Sequence, residues 1–360
     1  MTRQNTVARR DTTTRQHNTR PSGSARNPVP PSRVPVLVGG DTTAVCTADP
    51  DTGRLTRIAE PLPVRTAYAA AHPDLDLVYG VDEALDGTIT VLATGPHPCV
   101  RQQTPSRGSI PCHLAVSPTS GHLVTANYGT GDLLVHRLDA RGALAEVTEH
   151  LRLPGSGSRV HPERQDAPHP HQIVFASDDT LTVVDLGGDA LSTYHLAAGR
   201  LHLRATHPVP PGTGPRHLAG RWLIAELEPA IWALPDLTRH PLAAPGLPSA
   251  IVTAPDGAHV YAANRGPGTI TTLATAAPHR MSHLPVGGAA PQDLAFVGDV
   301  LYVAVPDADA VTAFRRTPGT GTLRPLGVAL RTPDPRCVLP LRRIEPTRPV
   351  TRSGTPRSDS

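Results

Sequence analysis

The stretch HLAVSPTSGHLVTANYGTGDLLVHRL, residues 113 to 138, shows the pattern that decides the fold. It reads as a short β-strand, a turn, a second strand that ends in a small polar residue, and a Gly-containing turn into a third strand. The same order recurs at starting points roughly 35 to 60 residues apart, a spacing typical of four-stranded propeller blades. The copies are residues 34–55, 67–92, 113–138, 171–196, 217–234, 250–274 and 293–314.

Seven copies predict an all-β protein with the architecture of a seven-bladed β-propeller. The late segment RCVLPL, residues 336 to 341, is placed to pair with the first copy. That pairing would close the ring and cover the free edges of the sheets. A β-helix or a β-sandwich is the alternative architecture. Helical signal is weak, because 41 Pro and 31 Gly interrupt the chain too often for long helical periodicity.

The two ends of the chain differ in composition from its middle. Residues 1–33 carry seven Arg and one Asp, and residues 343–360 carry four Arg, one Glu and one Asp, although the whole chain has a net charge of only +3. The propeller, residues 34–342, is therefore acidic. Tails rich in Arg, Thr, Ser and Pro are predicted to be disordered. They lack the aromatic residues of an RNA-binding signature, so no nucleic-acid partner is expected.

Cysteine usage and hydropathy indicate a cytoplasmic protein. The four cysteines show neither a CxxC motif nor zinc-ligand spacing, and we expect reduced thiols. They are Cys46, Cys99, Cys112 and Cys337. No apolar run follows the Arg-Arg pair at residues 9 and 10, so a secretory or twin-arginine signal is not expected. No stretch approaches the ~18 apolar residues that cross a bilayer. We expect a monomer or weak oligomer with no membrane partner.

Polar residues recur at two positions of the repeat. One set begins the first strand of a copy, and its members are Cys112-His113, His169-Pro170-His171, Arg216-His217 and Gln292-Asp293. A second set ends the following strand, and its members are Asp82-Glu83, Asn127-Tyr128, Asp185, Glu226 and Asn264-Arg265. In an antiparallel sheet the start of one strand and the end of its neighbour lie at the same edge. The repeat therefore predicts one polar pocket on one face, around the central channel.

The segment HPERQDAPHPH, residues 161 to 171, concentrates the most chemistry. It places His161, Arg164, His169 and His171 just before an apolar run at residues 173–175. These residue types admit a metal site, an anion-binding cradle, an acid/base centre or a polar loop.

The order of several motifs resembles the lactonase family of seven-bladed propellers, which includes propeller-type 6-phosphogluconolactonases and fungal carboxymuconate cyclase. The motifs are PERQDAPHPH, VVDLGGD, GPRHL and the Asn-Tyr and Asn-Arg strand ends, within residues 34–342. The resemblance implies a metal-independent hydrolase that needs no cofactor and acts on a small-molecule lactone. The expected substrate is 6-phosphogluconolactone, which is opened to the acid of the pentose phosphate route.

The resemblance also implies roles for individual residues. His171, Arg216 and Glu226 correspond to the family's functional positions, with His171 as the base, Arg216 as a hydrogen-bond donor or anion clamp, and Glu226 orienting them or sharing the base role. The remaining polar residues of the predicted pocket are expected to bind substrate, and they are His113, Asn127, Arg164, His169, Asp185, His217, Asn264 and Arg265. For His161, His169, Asn127, Asp185 and Asn264, hydrogen bonds within turns are the alternative.

Three departures from the family pattern bear on the substrate. Ala225 replaces the Asn of an Asn-Glu-Leu motif, Gln292 replaces an Arg, and Val305-Pro306 replaces an Asn-Gln pair. One cationic side of the pocket is thereby lost, which weakens the case for a phosphorylated substrate. A propeller that binds a small ligand or a protein without catalysis, and a cyclase that closes a muconate-type lactone, stay open as alternatives.

Overall fold

The computed structural model describes residues 34–242 and 246–342, which form seven four-stranded antiparallel sheets. Each sheet is one blade, numbered here in chain order, so the predicted all-β fold with seven blades is confirmed. The disorder expected for residues 1–33 and 343–360 lies outside the described residues. Within the described ranges, one 3-10 turn at Pro306–Ala308 interrupts the strands and turns. No helix of these ranges is long and apolar enough to cross a membrane.

Blade 1 joins the two ends of the described chain. Its strands are β1 (Val34–Gly39), β2 (Ala44–Ala48), β3 (Leu55–Arg57) and the last strand of the chain, Cys337–Pro340. The last strand pairs antiparallel with β1, from Val36 opposite Pro340 to Gly39 opposite Cys337. The predicted closure of the ring by the segment RCVLPL is therefore confirmed.

Blades 2, 3 and 4 each take four consecutive strands. Blade 2 contains β4 (Tyr68–Ala71), β5 (Leu77–Val81), β6 (Thr88–Ala93) and β7 (Cys99–Pro105). Blade 3 contains β8 (Pro111–Val116), β9 (His122–Asn127), β10 (Asp132–Leu138) and β11 (Leu144–Arg152). Blade 4 contains β12 (Pro170–Phe175), β13 (Thr180–Asp185), β14 (Ala190–Ala197) and β15 (Arg200–Pro208).

Blades 5, 6 and 7 repeat this arrangement. Blade 5 contains β16 (Pro215–Ala219), β17 (Trp222–Ala225), β18 (Ala230–Ala233) and β19 (Thr238–Pro241). Blade 6 contains β20 (Leu247–Thr253), β21 (His259–Arg265), β22 (Thr269–Ala274) and β23 (Ala277–Pro285). Blade 7 contains β24 (Asp293–Val297), β25 (Val300–Val305), β26 (Ala310–Arg316) and β27 (Leu323–Arg331). The last strand of the chain, which belongs to blade 1, is β28 (Cys337–Pro340).

The core is divided among the gaps between neighbouring blades. Each of the seven gaps holds one cluster of buried apolar side chains. Because successive side chains of a strand point to opposite faces of its sheet, every blade packs against both neighbours. Four of the six tyrosines are fully buried, namely Tyr79, Tyr194, Tyr261 and Tyr302. The other two, Tyr68 and Tyr128, are only partly buried and lie at the candidate site described next.

Candidate active site

The strand register turns two predicted catalytic side chains out of the regular ladder. In blade 4, Pro170 lies opposite Asp185 and Gln172 lies opposite Val184, so His171 between them is an extra residue. The register shifts in the same way around Arg216 in blade 5. Such irregularities re-aim a side chain relative to the rest of its strand. His171 and Arg216 therefore occupy the same unusual position in neighbouring blades.

Glu226 is the centre of a charged cluster, which we call the Glu226 cluster and which also contains Arg164, Arg216 and Arg265. Its carboxylate accepts hydrogen bonds from Arg164 Nη2 at 2.6 Å and from Arg216 Nη1. Nη2 of Arg265 lies 3.1 Å from Glu226 Oε1 without forming a hydrogen bond. The three guanidiniums come from the loop before β12, the start of β16 and the end of β21. The repeat thus brings together four of the residues predicted from sequence.

Electrostatics assign Glu226 the role of a counter-ion. Burial alone would raise the pKa of this carboxyl, but Arg216, Arg265 and Arg164 outweigh burial and lower it to about 2. The carboxylate therefore stays ionised at neutral pH and is a poor proton acceptor. Three guanidiniums and one carboxylate leave two positive charges uncompensated. Arg164 and Arg265 keep 36% and 24% of their side-chain surface exposed, so these two can meet an anion that arrives from solvent.

Each arginine of the cluster is also anchored through its Nε atom. Arg216 donates to the backbone oxygen of Ser249 at 2.7 Å, and Arg265 donates to that of Leu247 at 2.8 Å. Arg164 donates to the hydroxyl of Tyr128 at 3.0 Å. Anchoring fixes the plane of each guanidinium before a ligand binds, which lowers the entropy cost of binding.

His171 lies beside this cluster as a neutral imidazole. Burial, assisted by the charge of Arg216, lowers its pKa well below the usual 6.5. Its ring packs edge-on against Tyr128, at 5.5 Å between centroids. Among the described residues, the ring nitrogens have one polar neighbour, Cys112 Sγ at 3.9 Å from Nδ1. His171 is therefore unprotonated at neutral pH, and the same lowered pKa makes it a weaker base than an exposed histidine.

Three further rings meet near the propeller axis, where blades 2, 3 and 5 converge. His113 stacks on Tyr68 with centroids 4.0 Å apart, and it faces the edge of His217 at 5.9 Å. His217 in turn lies 5.2 Å from His171. Burial lowers the pKa of His113 to about 3 and that of His217 well below 6.5. We call Tyr68, His113, His171 and His217 the axial ring cluster.

His169 and Asp185, two predicted substrate-binding residues, are engaged within the protein. The His169 ring contacts the backbone oxygen of Tyr128 through Nδ1 at 2.7 Å and Asp166 Oδ1 through Nε2 at 2.9 Å. Asp185 Oδ1 accepts the backbone N–H groups of His169 at 2.7 Å and Gly188 at 3.0 Å. Both residues hold the loop that carries Arg164, and their binding roles stay predictions.

Asn127 and Asn264 likewise hold the ends of their strands. Asn127 Nδ2 donates to Asp132 Oδ1 at 2.6 Å, and Asn264 Nδ2 donates to Thr271 Oγ1 at 2.9 Å. Within residues 34–242 and 246–342, neither amide hydrogen-bonds to the Glu226 cluster. Each leaves its Oδ1 buried and unpartnered. A role of either amide in substrate binding stays a prediction.

The loop at residues 154–169 reaches the site because its base is tied to blade 4. Gln165 is fully buried and donates from Nε2 to the backbone oxygen of Leu186 at 3.0 Å. Gly187 allows the close approach, since a Cβ atom there would lie 1.9 Å from the backbone oxygen of Ala167. Packing under the PHPH segment explains the first glycine of VVDLGGD, and the close approach of the Asp185 side chain explains the second, Gly188.

Tyr128 and Tyr68 are site residues for which the sequence analysis gave no role. Tyr128 follows Asn127 at the repeat position where Arg265 follows Asn264, and this phase already placed it in the predicted pocket. Tyr68 starts the inner strand of blade 2, at the position of His113 in blade 3. Both aromatic rings pack against histidines of the site.

The part of the chain that the structure describes contains no group of three or more His, Cys, Asp or Glu side chains arranged to hold a metal ion. The polar groups that converge at the site are three guanidiniums, the carboxylate of Glu226, neutral imidazoles and phenol groups. The thiol of Cys112 lies next to His171, and the buried carboxyl of Asp293 lies near Tyr68 and Arg216.

Comparison with known proteins identifies the family of this propeller. Residues 37–340 match the family described as "Lactonase, 7-bladed beta-propeller". A 6-phosphogluconolactonase of Bacillus subtilis strain 168 is 29% identical over 307 residues, which cover 75% of this chain and 86% of the relative. A second 6-phosphogluconolactonase, from Formosa agariphila, is 28% identical over 61% of this chain and 70% of its own length.

Among solved structures, a periplasmic gluconolactonase of Pseudomonas aeruginosa superposes with a TM-score of 0.76 at 25% identity, over 86% of this chain and 99% of the other. The family match spans most of the described residues, and the Pseudomonas structure superposes on most of the chain. The chain therefore belongs to the lactonase family of seven-bladed β-propellers.

Proposed function

We propose that this protein hydrolyses a sugar lactone, with 6-phosphogluconolactone as the first candidate substrate. The observation that carries the proposal is the position of the neutral imidazole of His171 next to Tyr128, which in turn bonds Arg164 of the Glu226 cluster, whose three arginines and one carboxylate carry a net charge of +2. The names of the relatives from Bacillus subtilis and Formosa agariphila support the same substrate.

Lactone hydrolysis needs a base for the attacking water and a donor for the oxygen on which negative charge develops. In the proposal, His171 accepts the proton of the water molecule that attacks the lactone carbonyl. Arg216, held rigid by Glu226 and Ser249, donates to the carbonyl oxygen. The ring C–O bond breaks and the leaving oxygen takes up a proton, so the product is the open hydroxy acid.

Arg164 and Arg265 suit the anionic end of the substrate. Both are partly exposed, and both are anchored through Nε, so their Nη atoms can bind phosphate oxygens. Planar guanidiniums hold phosphate bidentately, which a single ammonium cannot do. We further propose that the protein is cytoplasmic and hydrolyses the lactone without a cofactor.

One observation favours an unphosphorylated lactone as the second candidate substrate. In blade 7, Gln292 takes the position of Arg216, and Val305 and Gly40 end the neighbouring strands of blades 7 and 1. Arg336 takes that position in blade 1, but it is already paired with Asp334. The relative from Pseudomonas aeruginosa is named a gluconolactonase. Glucono-δ-lactone without phosphate is therefore the second compound to test.

Both lactones open spontaneously, so the test compares purified protein with buffer at neutral pH in the presence of a chelator. We expect faster hydrolysis than in buffer and a loss of about 100-fold or more in kcat for His171→Ala. His207→Ala, an exposed position on the outer strand of the same blade, is the control and should keep full activity. A wild-type rate equal to that of buffer with both lactones would contradict the proposal, and loss of activity only with chelator would point to a metal instead.

A further inference from the structure

His113 is locked in one protonation form by the backbone. The N–H of Ile173 donates to Nδ1 of His113 at 3.3 Å. A nitrogen that accepts a hydrogen bond carries no proton, so the neutral ring must carry its proton on Nε2. Burial lowers the pKa of His113 to about 3, so the ring stays neutral throughout the pH range in which lactones are handled.

The Nε2–H of His113 has no hydrogen-bond partner among the described residues, although the side chain is buried with only 3% of its surface exposed. An unpaired buried donor costs free energy, and native structures contain few of them. The donor does not lie in the apolar packing between two blades. It belongs to the axial ring cluster, stacked on Tyr68 and facing His217.

The ring of His217 packs against His113, but no hydrogen bond from the described residues holds it there. His217 is only partly buried, its own Nε2 is also unpartnered, and its ring forms no hydrogen bond within the described ranges. Nothing polar therefore holds the His217 ring in place when a ligand enters. The two rings lie edge to face with centroids 5.9 Å apart, which is direct packing, so an oxygen atom reaches His113 Nε2 only after the His217 ring turns aside.

We propose that His113 Nε2–H donates a hydrogen bond to the carbonyl oxygen of the lactone and acts beside Arg216 as a second donor for the oxyanion. This inference rests on the proposed lactone hydrolysis. A neutral imidazole can serve as such an electrophile because it donates without titrating. Donors that are fixed before the reaction and shielded from water stabilise developing charge most strongly.

The competing explanation is structural. By accepting from Ile173, His113 also fixes the start of β12, the strand that carries His171. Two amide substitutions separate the roles, because the amide of Asn reaches the position of Nδ1 and that of Gln reaches the position of Nε2. His113→Asn keeps the acceptor for Ile173, whereas His113→Gln keeps the donor.

The experiment measures kcat and KM of the wild type and both variants with glucono-δ-lactone and its 6-phosphate, after thermal melts show that the variants fold. We expect His113→Gln to stay within about 10-fold of wild-type kcat and His113→Asn to lose about 100-fold, with KM changed little. His136→Asn is the matched control, since His136 is another buried histidine of blade 3 with an unpartnered nitrogen, and it should keep its activity.

The outcomes distinguish the inference from the proposed function. An active wild type whose His113→Asn variant equals or exceeds His113→Gln would overturn the donor role and leave the lactonase proposal standing. A wild type no faster than buffer would overturn both. As a second measurement, 15N spectra of the histidine rings should show a proton on His113 Nε2, and this proton signal should shift downfield when 6-phosphogluconate is added.

Discussion

The two halves of the active face use the same backbone positions in different ways. Around blades 4 to 6, the starts and ends of the inner strands carry His171, Arg216, Glu226 and Arg265. Around blades 7 and 1, the corresponding strand ends carry Val305 and the pair Gly39-Gly40. Glu226 and its three arginines lie in the first half, whereas in the second half Arg336 is paired with Asp334 and the buried Asp293 accepts the N–H of Val338.

Packing explains why the strand ends of blades 7 and 1 carry no polar side chains. Val305 is fully buried in the apolar cluster between blades 6 and 7. At Gly39 a Cβ atom would lie 2.5 Å from the backbone oxygen of Thr66, and at Gly40 one would lie 2.5 Å from that of Asp334. Closing the ring brings backbones together at this point and leaves no room for side chains. Close backbone packing at the ring closure and polar side chains therefore compete for the same strand-end positions, and they occupy opposite halves of the ring.

Removing the carboxylate charge of Glu226 should have the largest effect on stability and activity. Glu226→Gln leaves Arg216 buried without its counter-ion, and breaking such a pair costs about 3–5 kcal/mol. We expect that loss in the free energy of unfolding, measured by urea titration, together with loss of lactonase activity. Glu228→Gln, which removes an exposed pair with Arg239, is the control and should cost less than about 0.5 kcal/mol. Equal stability of the two variants would contradict the role given to Glu226.

Removing Arg164, a partly exposed arginine of the Glu226 cluster, should weaken substrate binding and leave the rest of the site folded. Arg164→Ala loses charge-assisted hydrogen bonds, which corresponds to a rise in KM of about 10- to 100-fold for 6-phosphogluconolactone. Arg164→Lys should restore little, because one ammonium cannot reach both Tyr128 and Glu226. Arg137→Ala, in an exposed pair with Glu146, serves as the control. A change in kcat alone would show that Arg164 acts in the chemical step instead.

Acid should destabilise the protein through the buried histidines of the site. His113, His171 and His217 have pKa values lowered in the folded state, so the unfolded chain binds more protons below about pH 6.5. The free energy of unfolding should therefore fall as pH drops below 6.5, by about 1 kcal/mol per histidine at pH 5.5. Urea titrations at pH 7.5 and 5.5 test this, with His217→Phe reducing the difference and the exposed His207→Phe leaving it unchanged. The activity limb that reports His171 should lie well below pH 6.5.

Adding a cation to blade 7 should have the smallest effect of these changes. Gln292→Arg restores the residue type that the family resemblance implies at this position. We expect kcat/KM for the 6-phosphate, relative to the unphosphorylated lactone, to rise by about 3- to 10-fold. Gln103→Arg places the same charge on an outer strand of blade 2 and controls for a general change in net charge. An equal ratio in both variants would mean that blade 7 does not contact the phosphate.

Much of this architecture could be predicted from the sequence because a repeat states its own geometry. The turn and strand pattern gave seven blades, and its phase placed Arg216, Glu226 and Arg265 on one face. The repeat pattern does not predict which side chains of the site form hydrogen bonds with one another. That His169 would be bound between Tyr128 and Asp166 depends on how the loop folds back, and the extra residue at His171 depends on two strands at once. The counter-ion role of Glu226 needed the distances to three arginines.

The pairing of β28 with β1 has a consequence for the order of events during synthesis. Val338 pairs with Val38 across about 300 residues of chain, and its N–H donates to the Asp293 carboxylate of blade 7 at 2.9 Å. At ribosomal rates of roughly 5–20 residues per second, blade 1 waits about 15 to 60 s for its inner strand. Until then the inner edge of β1 is open to other chains, as unpaired strand edges are. The ring closes only after β28 has been synthesised, so the face that carries the candidate site is complete only then.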